Sequence, residues 1–359
     1  MIAGGGTGGH LFPALAIAEA FRDRERANEI LFVGSGRGLE GRVLGREGYA
    51  RQSIAAVSLQ DKSFFGRALG LAAISKSLWQ SGRLLRAFRP DMVLGVGGYA
   101  SGPVVLTAWA LGYKTAIHEQ NAFPGLSNRI LARFVDRIFL SFAESAKHFP
   151  RKKVVLTGNP VRRRMRPGKK GDRDPGGAPF TVLIFGGSQG AHRLNVAMEE
   201  SLPHLQEQKG KWRIIHQTGD RDYGEVKEAY ARAGWAAEVH PFIQDMDRVY
   251  AAADLVLCRA GATTVFELMA MGKPAILVPY PYAANDHQTL NARILMSAGA
   301  ALMIKNGDLT GSALGKKLIE LSQDPARLAA MGKAGAVLAK PQAAQEIVQS
   351  CYEWVNHES

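Results

Sequence analysis

Two glycine-rich turns lie about half a chain apart, IAGGGTGGH (Ile2 to His10) and LIFGGSQGAHRLN (Leu183 to Asn195). Glycine lets a backbone turn sharply and approach a ligand closely, and the free N–H groups at the following helix start favour an anion. One such turn can be an ordinary strand-to-helix connection. Two suit a phosphorylated donor held by one half of the chain and its reaction partner by the other. His10 closes the first turn, and imidazole, which titrates near neutrality, is suited to take a proton from a hydroxyl; its other use is to organise the loop. Ser188, in the second turn, adds a hydroxyl where leaving-group charge would grow, or serves as a helix cap. Two Asp-x-Asp pairs, Asp172 with Asp174 and Asp220 with Asp222, invite a divalent ion. The first lies in a charged, Gly- and Pro-rich stretch and the second at a helix start, where acids complement the macrodipole. A hard cation needs several converging oxygens, so no metal site is expected.

The elements that position these residues follow from the pattern of apolar runs. EILFVG (Glu29 to Gly34), DMVLGVGG (Asp91 to Gly98), KTAIHE (Lys114 to Glu119), DRIFLSF (Asp136 to Phe142) and VVLTG in the first half, then TVLIFGG, WRIIHQTG, ADLVLCRAG and PAILVPY in the second, alternate with helical patterns. Repeated strand–helix units predict parallel sheets with helices on both faces, an α/β architecture. The first strand is short, with only Met1 and Ile2 before Ala3 and the glycines, so it is either minimal or clipped at its start. Gly158 to Pro179 has no apolar period and is rich in Gly, Pro and charge. It predicts a hinge. The expected division is a first domain over 1–157, a linker over 158–179, a second domain over 180–340, and a final helix over 341–359 that packs back on the first domain.

At 359 residues and 46% hydrophobic, the chain has enough apolar material for two cores. Cys258 and Cys351 are its only cysteines and lack metal-ligand spacing, which suits packing in a reducing compartment. No signal-peptide pattern or membrane-length apolar run is present, so a protein that is neither exported nor transmembrane is expected. The formal charge of +13 nevertheless calls for an anionic partner. RNA-binding motifs with interleaved aromatics are missing, so nucleic acid is not expected. A dinucleotide oxidoreductase is also disfavoured, because GGGTGG is poorly spaced for that fingerprint and no acid follows EILFVGS at the ribose position.

GGGTGGH, GVGGYASGP (Gly95 to Pro103), HEQNAFPGLSNR (His118 to Arg129), TGNPVR (Thr157 to Arg162), FGGSQGA, PFIQDM (Pro241 to Met246), RAGATTVFEL (Arg259 to Leu268) and DHQTLNA (Asp286 to Ala292) occur in this order. The chain thereby resembles, over essentially its whole length, the MurG peptidoglycan glycosyltransferases. That resemblance implies a GT-B fold, two Rossmann-like doubly wound domains facing a cleft. It implies inverting transfer of GlcNAc from UDP-GlcNAc to the C4 hydroxyl of lipid I, giving lipid II, with no cofactor required. A related transferase acting on another lipid, such as diacylglycerol, is the alternative; HEQN and GGYASGP argue against it.

The same resemblance implies residue roles. Thr7, Gly8 and Gly9 meet the donor sugar and the acceptor pyrophosphate, Asn121 and Arg162 contact the donor, Tyr99 lines the acceptor groove, and Ile243 recognises uracil through its backbone. The run Ala262, Thr263, Thr264, Val265 and Phe266 leads to Glu267, whose carboxylate can accept hydrogen bonds from both ribose hydroxyls. Gln288 and Asn291, three apart at a helix start, share a face from which amides can read the sugar. The base is His10 or Glu119.

The expected setting is the cytoplasmic face of the bacterial membrane, with cell-wall synthesis and division proteins as possible partners. In Arg67 to Arg89, Leu71, Ile74, Leu78, Leu85 and Phe88 form a stripe that packs on the sheet. Leu69, Lys76, Trp79, Arg83 and Arg86 form a second, basic stripe suited to an anionic membrane surface, with Phe64, Phe65 and Trp109 as added apolar depth. The alternative is that Trp79 packs under a loop and the charges are merely solvated.

Overall fold

Strands buried on both faces are built from near-continuous apolar runs, and each of the nine runs named from the sequence forms a strand in the computed structural model. The structure describes residues 1–36, 39–55, 64–165 and 179–356. Its contacts divide the chain into two units, Met1–Arg162 with Lys340–Ser359, and Arg163–Ala339. Gly158 to Arg162, expected in the hinge, therefore belong to the first unit, where Asn159 is completely buried. Arg166, Lys169, Lys170, Asp172 and Asp174 lie outside the described residues.

The first unit contains β1 (Ile2–Ala3), α1 (Gly8–Arg24), β2 (Leu31–Gly34), α2 (Leu39–Arg46), β3 (Ala50–Ser53), α3 (Phe64–Phe88), β4 (Met92–Gly95), α4 (Ser101–Ala110), β5 (Lys114–Glu119), α5 (Leu126–Leu131), β6 (Arg137–Leu140) and β7 (Val154–Leu156). Its strands run parallel in the order β3-β2-β1-β4-β5-β6-β7. Ile2 is in register with Phe32 on one side and Leu94 on the other. Val33, Val93, Ile117 and Ile138, none of them measurably exposed, form the centre of its core.

The second unit contains β8 (Phe180–Phe185), α6 (His192–Ser201), β9 (Trp212–Gln217), α7 (Tyr223–Arg232), β10 (Ala237–His240), α8 (Met246–Ala252), β11 (Leu255–Cys258), α9 (Ala262–Met271), β12 (Ala275–Leu277), α10 (His287–Ser297), β13 (Ala301–Met303), α11 (Gly311–Ser322) and α12 (Pro325–Val337). Its parallel order is β10-β9-β8-β11-β12-β13, with Leu257 opposite Ile184 and Ile276. Both sheets reverse their winding direction once, between β1 and β4 and between β8 and β11. In open α/β sheets ligands bind beyond the strand C-termini at such a switch point. Both glycine-rich turns lie there.

The last helix, α13 (Ala343–Asn356), packs along α1 in the first unit. Arg24 donates to Gln349 at 2.6 Å and Asn28 to the Tyr352 hydroxyl at 2.7 Å. The Lys114 ammonium donates to the carbonyls of Trp354 and Val355 at 3.0 and 3.1 Å, satisfying acceptors that a helix C-terminus leaves orphaned.

Candidate functional site

The first constellation sits at the ends of β1, β4 and β5. Gly4, Gly5 and Gly6 have φ of +133°, +135° and +89°, and Gly97 and Gly98 of +91° and +82°, conformations that disfavour any Cβ. A Cβ on Gly4 would collide with the Gly97 carbonyl, so the two turns interlock. A Cβ on Gly97 would come within 2.7 Å of the His10 ring, so the imidazole packs on the bare glycine. α1 starts at Gly8, with Thr7 as an N-cap that makes no side-chain cap bond and no acid in the first turn. Thr7 and Gly9 are exposed and His10 is half-buried.

His10 Nδ1 lies 3.2 Å from Gln120 Oε1. Glu119, the alternative base, is 2% exposed. Its Oε1 accepts from the Asn121 backbone N–H at 2.9 Å and from Asn121 Nδ2 at 3.3 Å. Its Oε2 accepts from the Gly125 N–H at 3.1 Å and from Asn128 Nδ2 at 2.8 Å. With both oxygens taken by fixed donors, this carboxylate folds the loop after β5 and is poorly placed to collect a proton. Asn121 is half-buried beside it, and Tyr99 is 58% exposed just before α4. Arg162 stacks its guanidinium on Phe12 of α1, 4.3 Å from the ring centroid. The residue expected at the donor is thus held in the first unit.

The second constellation sits at the ends of β8, β9 and β11. Gly187 and Gly190 have φ of +96° and +75°. A Cβ on Gly190 would collide with the Thr218 carbonyl and one on Gly219 with that of Gln189, so the turns after β8 and β9 also interlock. Gln217 joins them to a third segment: its Nε2 donates to the Gly187 carbonyl at 2.7 Å and its Oε1 accepts from the Ile243 N–H at 3.0 Å. Ser188 is half-buried on the turn. α6 begins four residues later with Ala191 as its N-cap, so Ser188 is not a helix cap.

α9 starts after Gly261, with Ala262, Thr263, Val265 and Phe266 buried and Thr264 half-buried. Glu267 is 5% exposed, not a solvated charge, and its Oε2 accepts from the Tyr250 hydroxyl at 3.2 Å. The amides of α10 part company. Gln288 is half-buried, its Oε1 accepting from the Tyr280 N–H at 2.9 Å. Asn291 is completely buried and donates to the Ala260 carbonyl at 3.1 Å, which ties α10 to the turn before α9. Just before α10, Asn285 and Asp286 hold φ of +54° and +52°; such left-handed residues cost on the order of 1 kcal/mol and gather at functional sites.

Among the described residues no group of three or more His, Cys, Asp or Glu side chains could hold a metal ion. Asp222 is tied instead to His192 Nδ1 at 3.0 Å and Asn195 Nδ2 at 2.8 Å. Asn195 also meets His216, whose completely buried imidazole has its pKa pushed down to about 3 by desolvation.

The chain matches the family descriptions "Glycosyltransferase family 28 N-terminal domain" over residues 1–140 and "Glycosyltransferase family 28 C-terminal domain" over residues 181–347. A protein of Syntrophus aciditrophicus named UDP-N-acetylglucosamine–N-acetylmuramyl-(pentapeptide) pyrophosphoryl-undecaprenol N-acetylglucosamine transferase is 50% identical over 98% of this chain and 97% of its own length. A Geobacter sulfurreducens protein of the same name is 49% identical over 97% and 96%. The crystal structure of Acinetobacter baumannii MurG is 32% identical, covers 98% of both chains and superposes with a TM-score of 0.75. This chain belongs to the MurG family.

Within this MurG-family chain, sequence reasoning passed over Gln120, Gln217, Asn128 and Tyr250. Gln120 is the unremarked letter of HEQN, and Gln217 ends an apolar run just before a Thr-Gly pair. In both cases the useful signal is a polar residue at the C-terminal end of a parallel strand.

The basic stripe of α3 is also resolved. Lys76, Trp79, Arg83 and Arg86 are exposed, Trp79 by 64%, with the Arg83 guanidinium 5.9 Å from its ring centroid. On the other stripe Leu85 is buried and Ile74, Leu78 and Phe88 are half-buried. The side chains of Phe64, Phe65, Leu69 and Leu71 lie outside the described residues. Trp109 on α4, Leu111, and Leu126 and Ile130 on α5 are large exposed apolar groups, and α3, α4 and α5 pack in series. Among the described residues no helix is long and apolar enough to cross a membrane.

Proposed function

We propose that this chain transfers N-acetylglucosamine from UDP-GlcNAc to the C4 hydroxyl of the muramoyl sugar of lipid I, giving lipid II with inversion at the anomeric carbon. The observation that carries this reading is the near full-length identity of about half to transferases bearing that name. His10 takes the hydroxyl proton, the hydroxyl oxygen bonds to the anomeric carbon, and the bond to the UDP phosphate oxygen breaks with its electron pair leaving on UDP. His10 fits the base better than Glu119, whose oxygens are already occupied by the Asn121, Gly125 and Asn128 donors. Ser188 and the N–H groups at the start of α6 meet the charge on the departing pyrophosphate.

Glu267 holds the ribose through the carboxylate that Tyr250 orients, and the α9 start from Ala262 to Phe266 carries the nucleotide. Gln288 reads the sugar. Ile243 meets uracil with its carbonyl, since its N–H is committed to Gln217. Thr7, Gly8 and Gly9, with Asn121, serve the reacting sugar and acceptor pyrophosphate, Tyr99 lines the acceptor groove, and Arg162 supplies a cation near phosphate. The exposed Trp79, Arg83 and Arg86 face, continued by Trp109, docks on an anionic membrane surface so that a lipid-anchored acceptor can be reached.

The test is incubation with UDP-GlcNAc and a short-chain lipid I analogue. Stoichiometric UDP and a disaccharide product are expected, with turnover reduced about a hundredfold in His10→Ala while donor binding persists. Hydrolysis of UDP-GlcNAc without disaccharide formation would reject the acceptor assignment.

A further inference from the structure

A backbone carbonyl can only accept a hydrogen bond, so the atom of Gln120 that lies 2.8 Å from the Val96 carbonyl oxygen must be its NH2 group. The same nitrogen is 3.2 Å from His118 Nδ1, which therefore accepts and leaves the His118 proton on Nε2. That proton points to Ser141 Oγ at 3.2 Å, and the Ser141 hydroxyl donates onward to Asn159 Oδ1 at 3.4 Å. Both hydrogens of the Gln120 amide are thereby assigned, one to the Val96 carbonyl and one to His118 Nδ1. Gln120, His118, Ser141 and Asn159 are at most 5% exposed, so this hydrogen-bonded chain is shielded from bulk solvent. With the amide so oriented, Oε1 is the atom turned toward His10 Nδ1 at 3.2 Å. Reversing the amide would set Oε1 against the Val96 carbonyl oxygen, acceptor to acceptor, at the place the NH2 group now fills.

We infer that Gln120 is a positioning residue that holds His10 as its Nδ1–H tautomer, so that the lone pair able to receive a proton is on Nε2. The imidazole rests on Gly97, where no side chain competes for its place, and the amide that fixes its proton is itself fixed by Val96 and His118. The burial that lowers the His118 pKa to about 4 keeps that histidine neutral, so the direction of the chain persists through the neutral range. The catalytic consequence rests on His10 being the base; the tautomer does not.

Long-range 1H–15N spectra of the full 15N-labelled chain, above the titration of His10, test the inference directly. The His10 signals, assigned by their loss in His10→Gln, should show a protonated Nδ1 and an unprotonated Nε2. A dominant Nε2–H form overturns the inference. Gln120→Met keeps the length and removes the acceptor, and should mix the tautomers. It should lower kcat about ten- to a hundredfold with the KM for UDP-GlcNAc unchanged, while Gln120→Glu, which restores an acceptor, recovers part of the loss. Wild-type kcat in Gln120→Met, or a fall in kcat with the Nδ1–H form intact, would refute the positioning role. If that variant does not fold, the wild-type spectrum decides alone. Undiminished turnover in His10→Ala would remove the base assignment and leave the tautomer result standing.

Discussion

Replacing Glu119 by Ala separates a folding role from a proton-transfer role. The carboxylate accepts from two backbone N–H groups, of Asn121 at 2.9 Å and Gly125 at 3.1 Å, and from Asn128 Nδ2 at 2.8 Å, in a site where Glu119 is 2% exposed. Hydrogen bonds to a charged group contribute about 1.5–3 kcal/mol each, and a buried donor left unpaired costs its desolvation. Discounting for water that enters the truncated site, the loss is about 3–6 kcal/mol. Set against a total stability of about 5–15 kcal/mol, such a loss is large. At about 2–4 °C per kcal/mol for a unit of this size, the first unit should melt on the order of 10 °C lower. Urea unfolding followed by circular dichroism measures the stability, and the lipid I assay measures turnover on the same preparations. Stability within about 1 kcal/mol of wild type, together with abolished turnover, would refute the folding role and return Glu119 to the list of bases.

Glu267→Ala should weaken UDP-GlcNAc binding by tens of fold, since the lost bonds are charge-assisted, whereas Tyr250→Phe should weaken it only severalfold; isothermal titration resolves the two. An unchanged KM for the donor in Glu267→Ala would remove the ribose assignment. Burial lowers the pKa of His118 to about 4 and of His216 to about 3. Below about pH 6.5 the unfolded chain binds protons at these positions and the folded chain does not. Stability should therefore fall as pH drops from about 6.5 to about 4, by on the order of 3 kcal/mol per histidine, and His216→Gln should flatten that slope in pH-dependent urea titrations. Vesicle co-sedimentation should require anionic lipid, weaken with salt and drop sharply in the double variant Arg83→Glu, Arg86→Glu; unchanged sedimentation with normal donor binding would place the docking face elsewhere.

The central strands were legible because burial on both faces demands apolar runs such as TVLIF and LVLC. β3, β10 and β13 were not. Ala50–Ser53 is exposed throughout, Ala237–His240 alternates between half-buried and exposed, and Ala301–Met303 is three residues long at an edge. Edge strands carry polar residues and little periodicity, so nothing in ARQS distinguishes strand from loop. At the candidate site, glycine clusters and their neighbours were visible because a positive φ demands a particular residue. Side-chain partnerships were not, since Gln120 meets His10 across 110 positions and Gln217 meets Ile243 across 26. Asn291 illustrates the limit: its bond to the Ala260 carbonyl spans 31 positions and leaves no mark in DHQTLNA.

The return of α13 to the first unit has a consequence for how the protein is made. The chain's opening residues are completed by its closing ones: Asn28 and Arg24 of the α1 region, and Lys114 at the start of β5, find partners in Gln349, Tyr352, Trp354 and Val355. About 190 residues separate Arg162 from the end of α13, which at roughly 5–20 residues per second is about 10–40 s of translation. During that interval the first unit must wait on the ribosome with one flank of α1 uncovered. The second unit, contiguous in sequence, needs no such delay, so the half that is synthesised later is the one able to finish folding first.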